Sequence, residues 1–212
     1  MTRGLASMPR REPLTYKPSA ALLRSFRDVK MKDGNPVLSE DQLAGALVVL
    51  QANAEHGHGA VLSDDVGLGK SREIAAVALE WIATGQAKKI LVTTKSSPNV
   101  SDLMNEFATV ASGRPIMSAD GKPTAEPGTF PAEMIDATAF STSSTRRTKT
   151  PWEPFPFGGK GPIVLFIDSH NLAAYSKAIL DWRPDALLGD EAHTFKNAEA
   201  AMGEAWKQIH AQ

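Results

Sequence analysis

The amino-acid sequence predicts an α/β fold in which a mainly parallel sheet has helices on both faces. The first observation is a set of short, mostly apolar runs at residues 60–62, 89–94, 163–167 and 186–190. Runs of this kind, which do not alternate with polar residues, are typical of strands that are covered on both sides. The second observation is that segments with helical spacing lie between the runs. Because strand and helix alternate along the chain, a parallel sheet is favoured.

The helices are predicted from their end signals. Ser39 with Gln42 three residues later forms a capping box for a helix that continues through Leu50. A second helix is expected from Lys70 to about residue 84, where Gly85 ends it. One face of this second helix is expected to be buried, namely Ile74, Val77, Ala78, Trp81 and Ile82. Two further helices are expected, one through residues 103–107 and one over residues 172–180.

Composition places the chain among globular proteins. The hydrophobic share of 42% and the charged share of 22% are ordinary for that class, and the 212 residues contain no apolar run long enough to cross a bilayer. We therefore expect no membrane association. The chain has no cysteine, which excludes disulfides and thiolate metal sites, and its start lacks the apolar stretch of a secretion signal. The expected location is intracellular.

Three regions differ in composition. Residues 1–36 form a basic arm with a short helix, which either docks on the rest of the protein or contacts nucleic-acid phosphates. Residues 37–212 are expected to form one lobe. Within that lobe, residues 113–161 are rich in Pro, Gly, Ser and Thr and are interpreted mainly as a long surface excursion. Aromatic and basic residues in the excursion leave open that it stacks on bases.

A glycine-bearing turn between the first predicted strand and the helix at Lys70 indicates a phosphate-binding loop. Gly67 and Gly69 allow backbone N–H groups to converge on phosphate oxygens, and the helix that follows directs its positive end at the same point. Lys70 would reach the β- and γ-phosphates, and the Ser71 hydroxyl would help to hold a magnesium ion. The usual pattern has a glycine where this chain has Asp64, so an ordinary glycine-rich turn is the alternative.

An acidic pair follows the last predicted strand. Asp190 and Glu191 lie at the carboxyl end of that strand, where ligands bind in open parallel sheets. Asp190 would hold magnesium, and Glu191 would activate the water that attacks the γ-phosphate. A helix N-cap with an acidic first turn is the alternative. The presence of both motifs in this order, each after an apolar strand, favours nucleotide hydrolysis.

In these residues the chain resembles the first RecA-like lobe of superfamily 2 DEAH-box helicases and translocases, in the branch of the Swi/Snf-type remodelling ATPases and the strawberry-notch-like proteins. The segment 64–71 is similar to motif I of this branch, in which an acidic pair precedes Gly-x-Gly-Lys, and this accounts for Asp64. The other similar segments are residues 38–45 (the glutamine motif), 94–96 with 104–107 (motif Ia) and 190–197 (motif II). The resemblance implies a three-layer P-loop NTPase lobe.

The resemblance also implies cofactors, a partner and residue roles. The cofactors are ATP and Mg²⁺, and the partner is DNA, expected to be double-stranded. Gln42 is implied to contact adenine, Lys95 and Ser96 to touch the nucleic-acid backbone, and His193 to couple the nucleotide site to the nucleic acid. The residues expected to bind the nucleotide are therefore Gln42, Gly67, Leu68, Gly69, Lys70 and Ser71.

The resemblance extends from Leu38 to Gln212, short of the family's motif III and its second lobe. The sequence therefore leads us to expect a lobe that is incomplete at its C-terminus. The missing lobe carries arginine fingers, which are worth roughly 10³–10⁵ in the rate of phosphoryl transfer, so slow hydrolysis by this chain alone is expected. A non-catalytic nucleotide-binding or protein-interaction module, as a fragment of a split or truncated helicase, is the alternative.

Overall fold

A computed structural model of the chain describes residues 14–31, 33–57, 69–112, 136–140 and 161–190. Within these ranges the helices and strands are, in chain order, α1 (Ala20–Asp28), α2 (Glu40–His56), α3 (Lys70–Thr84), β1 (Lys89–Thr94), α4 (Ser97–Ser112), β2 (Asp136–Phe140), β3 (Ile163–Asp168), α5 (Ser169–Ala174), α6 (Ser176–Trp182) and β4 (Ala186–Gly189).

The four described strands form one parallel sheet in the order β2-β3-β1-β4. At its centre Val92 lies opposite Phe166 on one side and Leu188 on the other. All six residues of β3 are buried, as are the last five of β1, so both central strands are covered on both faces. The predicted α/β fold with a parallel sheet is confirmed. The strand predicted at residues 60–62 lies outside the described residues.

Two hydrophobic cores, one on each face of the sheet, make the three layers. The larger core joins α1, α2, α3 and α4 to one face, where Val92 and Phe166 contribute side chains. The smaller core joins α5 and α6 to the opposite face around Leu91, Leu165 and Ile179. Alternate residues of one strand therefore feed different cores, as the pleat of a strand requires. Helices on both faces were predicted, and the two cores confirm them.

Strand β2 was not predicted, because it lies inside the segment interpreted as a surface excursion. Residues Asp136–Phe140 pair in parallel with β3, so this part of the 113–161 segment belongs to the sheet. Its sequence, Asp-Ala-Thr-Ala-Phe, has a weaker apolar pattern than the other strands. Pairing with the buried edge of β3 supplies the hydrogen bonds that the local sequence does not dictate.

Helix α3 is buried over most of its surface and not on one face alone. Every residue from Ala75 to Trp81 is buried, together with Glu73 nearer the start of the helix. The reason is that α1, α2 and α4 all pack against α3. Of the positions predicted to be buried, Val77, Ala78 and Trp81 are buried, whereas Ile74 and Ile82 are only partly buried. The sequence pattern also underestimated how many neighbours the helix has.

The helix predicted over residues 172–180 is two short helices. Asp168 caps α5 by accepting hydrogen bonds from the N–H groups of His170 and Asn171, both at 3.0 Å, so the first helix begins earlier than predicted. Tyr175, with φ −113° and ψ 17°, separates α5 from α6. Arg183 ends α6 in the left-handed region with φ 54°, a conformation that favours glycine.

The C-terminal part of the basic arm docks on α3. The Ser19 backbone N–H and hydroxyl donate to the two carboxylate oxygens of Glu80 at 2.7 and 2.6 Å, and the Tyr16 hydroxyl donates to Glu80 at 3.3 Å. Glu80 is fully buried, so these donors replace the water that its carboxylate gives up. The short helix predicted in the arm is α1. The Ser25 hydroxyl on α1 joins this helix to α4 by donating to the Val110 carbonyl at 2.7 Å.

Among the described helices, none is long and apolar enough to cross a bilayer.

The docking contact predicts an unusual tyrosine titration. Burial, and then the charge and hydrogen bond of Glu80, raise the pKa of Tyr16 from 10.0 to about 12. A raised pKa means that the folded state favours the neutral phenol. The contribution of this contact to stability is therefore complete below pH 10.0 and is lost as the pH rises through about 12.

The measurement is an ultraviolet titration of the Tyr175→Phe variant, in which Tyr16 is the remaining tyrosine of the two in the chain. We expect phenolate to form near pH 12 in this variant. Adding Glu80→Gln should lower the pKa of Tyr16 but leave it above its ordinary value, because burial is the largest cause. A titration near the ordinary value in the Tyr175→Phe variant would contradict the docked geometry.

Candidate functional site

The start of α3 and the carboxyl ends of the strands lie toward the same edge of the sheet. A connection of four residues, 85–88, leads from the end of α3 into β1. Because this connection is short, α3 runs antiparallel to β1, and its first residues lie toward the edge at which β1 ends. This is the edge where open α/β sheets bind ligands.

Gly69 gives the start of α3 its special geometry. It has φ 81° and ψ 34°, in the left-handed region, and it is the N-cap residue of the helix. Ser19 and Ser39 cap α1 and α2 with their side chains, whereas α3 begins without a side-chain cap. The Gly69 carbonyl accepts a hydrogen bond from the Arg72 N–H at 2.9 Å, which closes the first turn. This is a helix start whose positive end a ligand can approach.

Gln42 contacts Gly69 from α2. Its side-chain amide donates to the Gly69 carbonyl at 3.5 Å, and its side-chain oxygen accepts from the Ser39 N–H at 3.0 Å. The predicted capping box is therefore present, and the same side chain also lies against the predicted phosphate loop. A Cβ atom at Gly69 would collide with the end of the Gln42 side chain, which would have to move, and the positive φ also favours glycine. The adenine contact implied for Gln42 stays a prediction.

Lys70 and Ser71 are the first two residues of α3, and both are half-buried. Their place in the first turn is the one that the phosphate-loop prediction needs. Gly67 and Leu68, which precede them, lie outside the described residues.

Asp190 follows directly after β4. Its N–H donates to the Thr93 carbonyl at 2.8 Å, and the Thr94 hydroxyl donates to its carboxylate at 3.3 Å. The end of β1 therefore orients the carboxylate at the end of β4. Sequence reasoning missed this role of Thr94, because only the pairing of β1 with β4 brings the two residues together. Glu191 and His193 lie outside the described residues.

Lys95 and Ser96 follow β1 at the same edge. Lys95 is exposed, and its carbonyl accepts a hydrogen bond from the Ser169 hydroxyl at 2.9 Å, which fixes the backbone between β1 and α4. The Ser96 hydroxyl donates to the Asn99 side chain at 3.2 Å, and the Ser96 carbonyl accepts from the Val100 N–H at 3.3 Å. These residues form the entry into α4, and contact with nucleic acid is a prediction for them.

Arg72 joins three elements next to the candidate site. Its Nε donates to the Glu106 carboxylate on α4 at 2.8 Å, and its Nη1 donates to the Val37 carbonyl before α2 at 3.0 Å. Glu106 lies in the segment that is similar to motif Ia, and the sequence did not pair it with Arg72. Because they are 34 positions apart and lie on different helices, no spacing rule could have paired them.

Close packing of α2 on α3 completes the surroundings. A Cβ atom at Gly45 would lie 3.0 Å from the Glu73 side chain, so the glycine allows the two helices to approach. Glu73 is buried at this contact.

The side chains at this edge suit magnesium together with a phosphate ligand. Within the described ranges no three His, Asp or Glu side chains gather into a metal cluster. Ser71 and Asp190 would instead supply one hydroxyl and one carboxylate, and magnesium takes its other oxygens from phosphate and water in sites of this kind. The donor set therefore fits a magnesium–nucleotide complex better than a metal ion alone.

Comparisons with known proteins identify the fold. No family model matches the sequence, and no curated protein matches it. Among the solved structures that are similar is the Sulfolobus solfataricus SWI2/SNF2 ATPase core in complex with dsDNA, with a TM-score of 0.56 and 20% sequence identity. The match covers 81% of this chain and 29% of that chain, so this chain spans less than a third of the length of the protein it matches. At this identity the likeness defines the fold, which is that of a RecA-like α/β lobe.

The geometry of Gly69 predicts an unequal effect of two similar substitutions. Gly69 and Gly85 have φ of 81° and 74°, so alanine at either position should cost roughly 1–2 kcal/mol for the left-handed conformation. Gly69→Ala should cost about 1 kcal/mol more, because Gln42 must move and its capping bond is lost. Urea unfolding of both variants measures the difference.

Gly85→Ala is the matched control, since nothing lies within 4 Å of a Cβ atom at that position. The double variant Gln42→Ala with Gly69→Ala should lose less stability than the two single variants lose in sum, because the collision is removed. If Gly69→Ala and Gly85→Ala lose equal free energy of unfolding, the Gln42 side chain does not hinder a Cβ atom at position 69.

Proposed function

We propose that this chain is the ATP-binding lobe of an ATP-dependent DNA helicase or translocase, which couples ATP hydrolysis to movement on nucleic acid or to its remodelling. The observation that carries the proposal is the start of α3, where a left-handed glycine with no side-chain cap is followed at once by Lys70 and Ser71. Asp190 directly follows β4 at the same edge of the sheet. These are the groups that magnesium-ATP requires.

In this proposal the nucleotide binds across the start of α3. The backbone N–H groups at Gly67, Leu68 and Gly69 hold the phosphates, and Lys70 places its charge on the β- and γ-phosphates. Ser71 and Asp190 hold Mg²⁺ through oxygen atoms. Thr94 supports this assignment, because its hydrogen bond orients the Asp190 carboxylate without adding a second charge. Gln42 donates a hydrogen bond to the Gly69 carbonyl, and in this proposal it also contacts the adenine.

Bound magnesium-ATP supplies the phosphoanhydride bond that is cleaved. Glu191 orients the attacking water and accepts its proton, and Asp190 beside it keeps its carboxylate for the metal. His193 would link this site to the nucleic acid. A second lobe that supplies arginine fingers is part of the proposed enzyme, as the resemblance implies.

DNA is the proposed partner because the similar ATPase core was solved in complex with dsDNA. The proposed contact in this chain is the exposed entry to α4 at Lys95 and Ser96, which lies at the same edge as the nucleotide residues. This arrangement places the two ligands on neighbouring loops of one sheet edge.

The first test concerns Lys70. Lys70→Ala should weaken binding of a fluorescent ATP analogue with Mg²⁺ by roughly 10–100-fold, because a charged hydrogen bond is worth about 1.5–3 kcal/mol. Equilibrium titration followed by fluorescence anisotropy measures this. Lys177→Ala is the matched control, since Lys177 is an exposed lysine on α6 at the opposite face of the sheet. Equal affinity in wild type and Lys70→Ala would refute the phosphate site.

The second test concerns Glu191. In a protein completed with a second lobe, Glu191→Gln should reduce DNA-stimulated ATP hydrolysis by about 10²–10⁴-fold and leave nucleotide affinity within a few-fold, because a general base acts in the transition state. Phosphate release under single-turnover conditions measures the rate, and the exposed Glu55→Gln is the control. Hydrolysis within a few-fold of wild type would refute the catalytic role. If the wild-type protein completed with a second lobe binds nucleotide but does not hydrolyse it, the non-catalytic module is favoured instead.

A further inference from the structure

Arg72 occupies a junction between the candidate nucleotide site and the candidate DNA contact. It is the third residue of α3, and its N–H donates to the Gly69 carbonyl in the first turn. Its guanidinium then reaches outward in two directions, to Val37 and to Glu106. The backbone of Arg72 is therefore part of the proposed phosphate-binding turn, whereas its side chain belongs to the neighbouring elements.

Each partner of Arg72 leads to a different functional element. Val37 lies two residues before Ser39, which starts the capping box that holds Gln42 against Gly69. Glu106 lies on α4, the helix that Lys95 and Ser96 lead into. Among the described helices, α3 packs most extensively against α4. Helix α4 therefore connects the residues at its entry with Glu106, and the ion pair connects Glu106 with the start of α3.

The chemistry of this junction requires arginine. The guanidinium presents a planar fork of donors, which allows Nε to bind Glu106 while Nη1 binds the Val37 carbonyl. A lysine amine has a single nitrogen and could not reach both partners in this geometry. The two charged side chains are 23% and 26% exposed, so water screens their ion pair only in part. A link that fixes three elements relative to one another is suited to positioning.

We infer that Arg72 is a positioning residue that couples nucleotide binding at the start of α3 to DNA binding at the entry to α4, through Glu106. The inference rests on the proposed function, since it assigns a role between the two sites proposed there. Coupling between two sites is carried by contiguous contacts of this kind. It is reciprocal, so DNA must change nucleotide affinity by the same factor by which the nucleotide changes DNA affinity.

The test is the ratio of dissociation constants for a non-hydrolysable fluorescent ATP analogue with Mg²⁺, measured without and with saturating duplex DNA. For the wild-type chain we expect DNA to tighten nucleotide binding by at least about fivefold. Arg72→Gln and Glu106→Gln should each bring this ratio to within about twofold of one. In the double variant the ratio of dissociation constants should fall no further than in either single variant, because both substitutions break the same link. Arg72→Lys should give an intermediate ratio.

Two control variants remove like charges without breaking the link. Arg24→Gln removes an exposed arginine from α1, and Asp102→Asn removes an exposed carboxylate from α4, one turn before Glu106. Both should keep the wild-type ratio. Circular dichroism melts check that each variant is folded, and Glu106→Gln keeps the test decisive if Arg72→Gln does not fold.

The outcomes separate this inference from the proposed function. A wild-type chain that binds no nucleotide under either condition contradicts the proposed function itself, and the inference with it. A wild-type chain that binds nucleotide with a ratio of one overturns the coupling alone. A ratio that Arg72→Gln and Glu106→Gln both leave unchanged shows that the pair is only a structural contact.

Discussion

The burial of α3 is the constraint on which the rest of the structure depends. Glu80 of α3 accepts a hydrogen bond from Ser19, the N-cap residue of α1. Helix α2 packs on α3 where Gly45 lets Glu73 approach, and α4 is joined to α3 by the ion pair of Arg72 and Glu106. A helix enclosed in this way has little freedom to rotate or slide, because protein interiors are close-packed. The position of its first turn is therefore set by contacts along its whole length.

Parallel pairing then gathers polar groups at one edge of the sheet. Strand β1 ends in Thr94, β3 ends in Asp168, and Asp190 directly follows β4. These groups lie at one edge because the strands run in the same direction. Their uses differ. Asp168 at the end of β3 is committed to capping α5, since Asn171 donates to it from both its backbone and its side chain. Asp190 follows β4 and accepts a hydrogen bond from the Thr94 hydroxyl, and its role in holding a cation stays a prediction.

Buried carboxylates show how the helical layer tolerates charge. Glu80 lies inside an apolar layer, and the docked arm brings Ser19 and Tyr16 to it as hydrogen-bond donors. The arm thus does more than cover apolar surface, because removing it would leave a carboxylate without these donors, which is costly in a medium of low polarity. The same segment was predicted either to dock or to bind nucleic acid. The described residues 14–28 dock, and a nucleic-acid contact by the preceding basic residues stays a prediction.

The sequence by itself determined the features that depend on neighbouring residues. Apolar runs located β1, β3 and β4, the Ser39–Gln42 spacing located the start of α2, and Gly85 located the end of α3, because strand burial and helix caps are local properties. It also named Lys70, Ser71 and Asp190, which lie toward one edge of the sheet, while the roles of Gly67, Leu68, Glu191 and His193 stay predictions. Only the tertiary structure decided the pairing of β2 with β3, the break at Tyr175, the contact of Thr94 with Asp190 and the bridge from Arg72 to Glu106. These depend on which distant segments become neighbours when the chain packs, and short-range patterns carry no information about that.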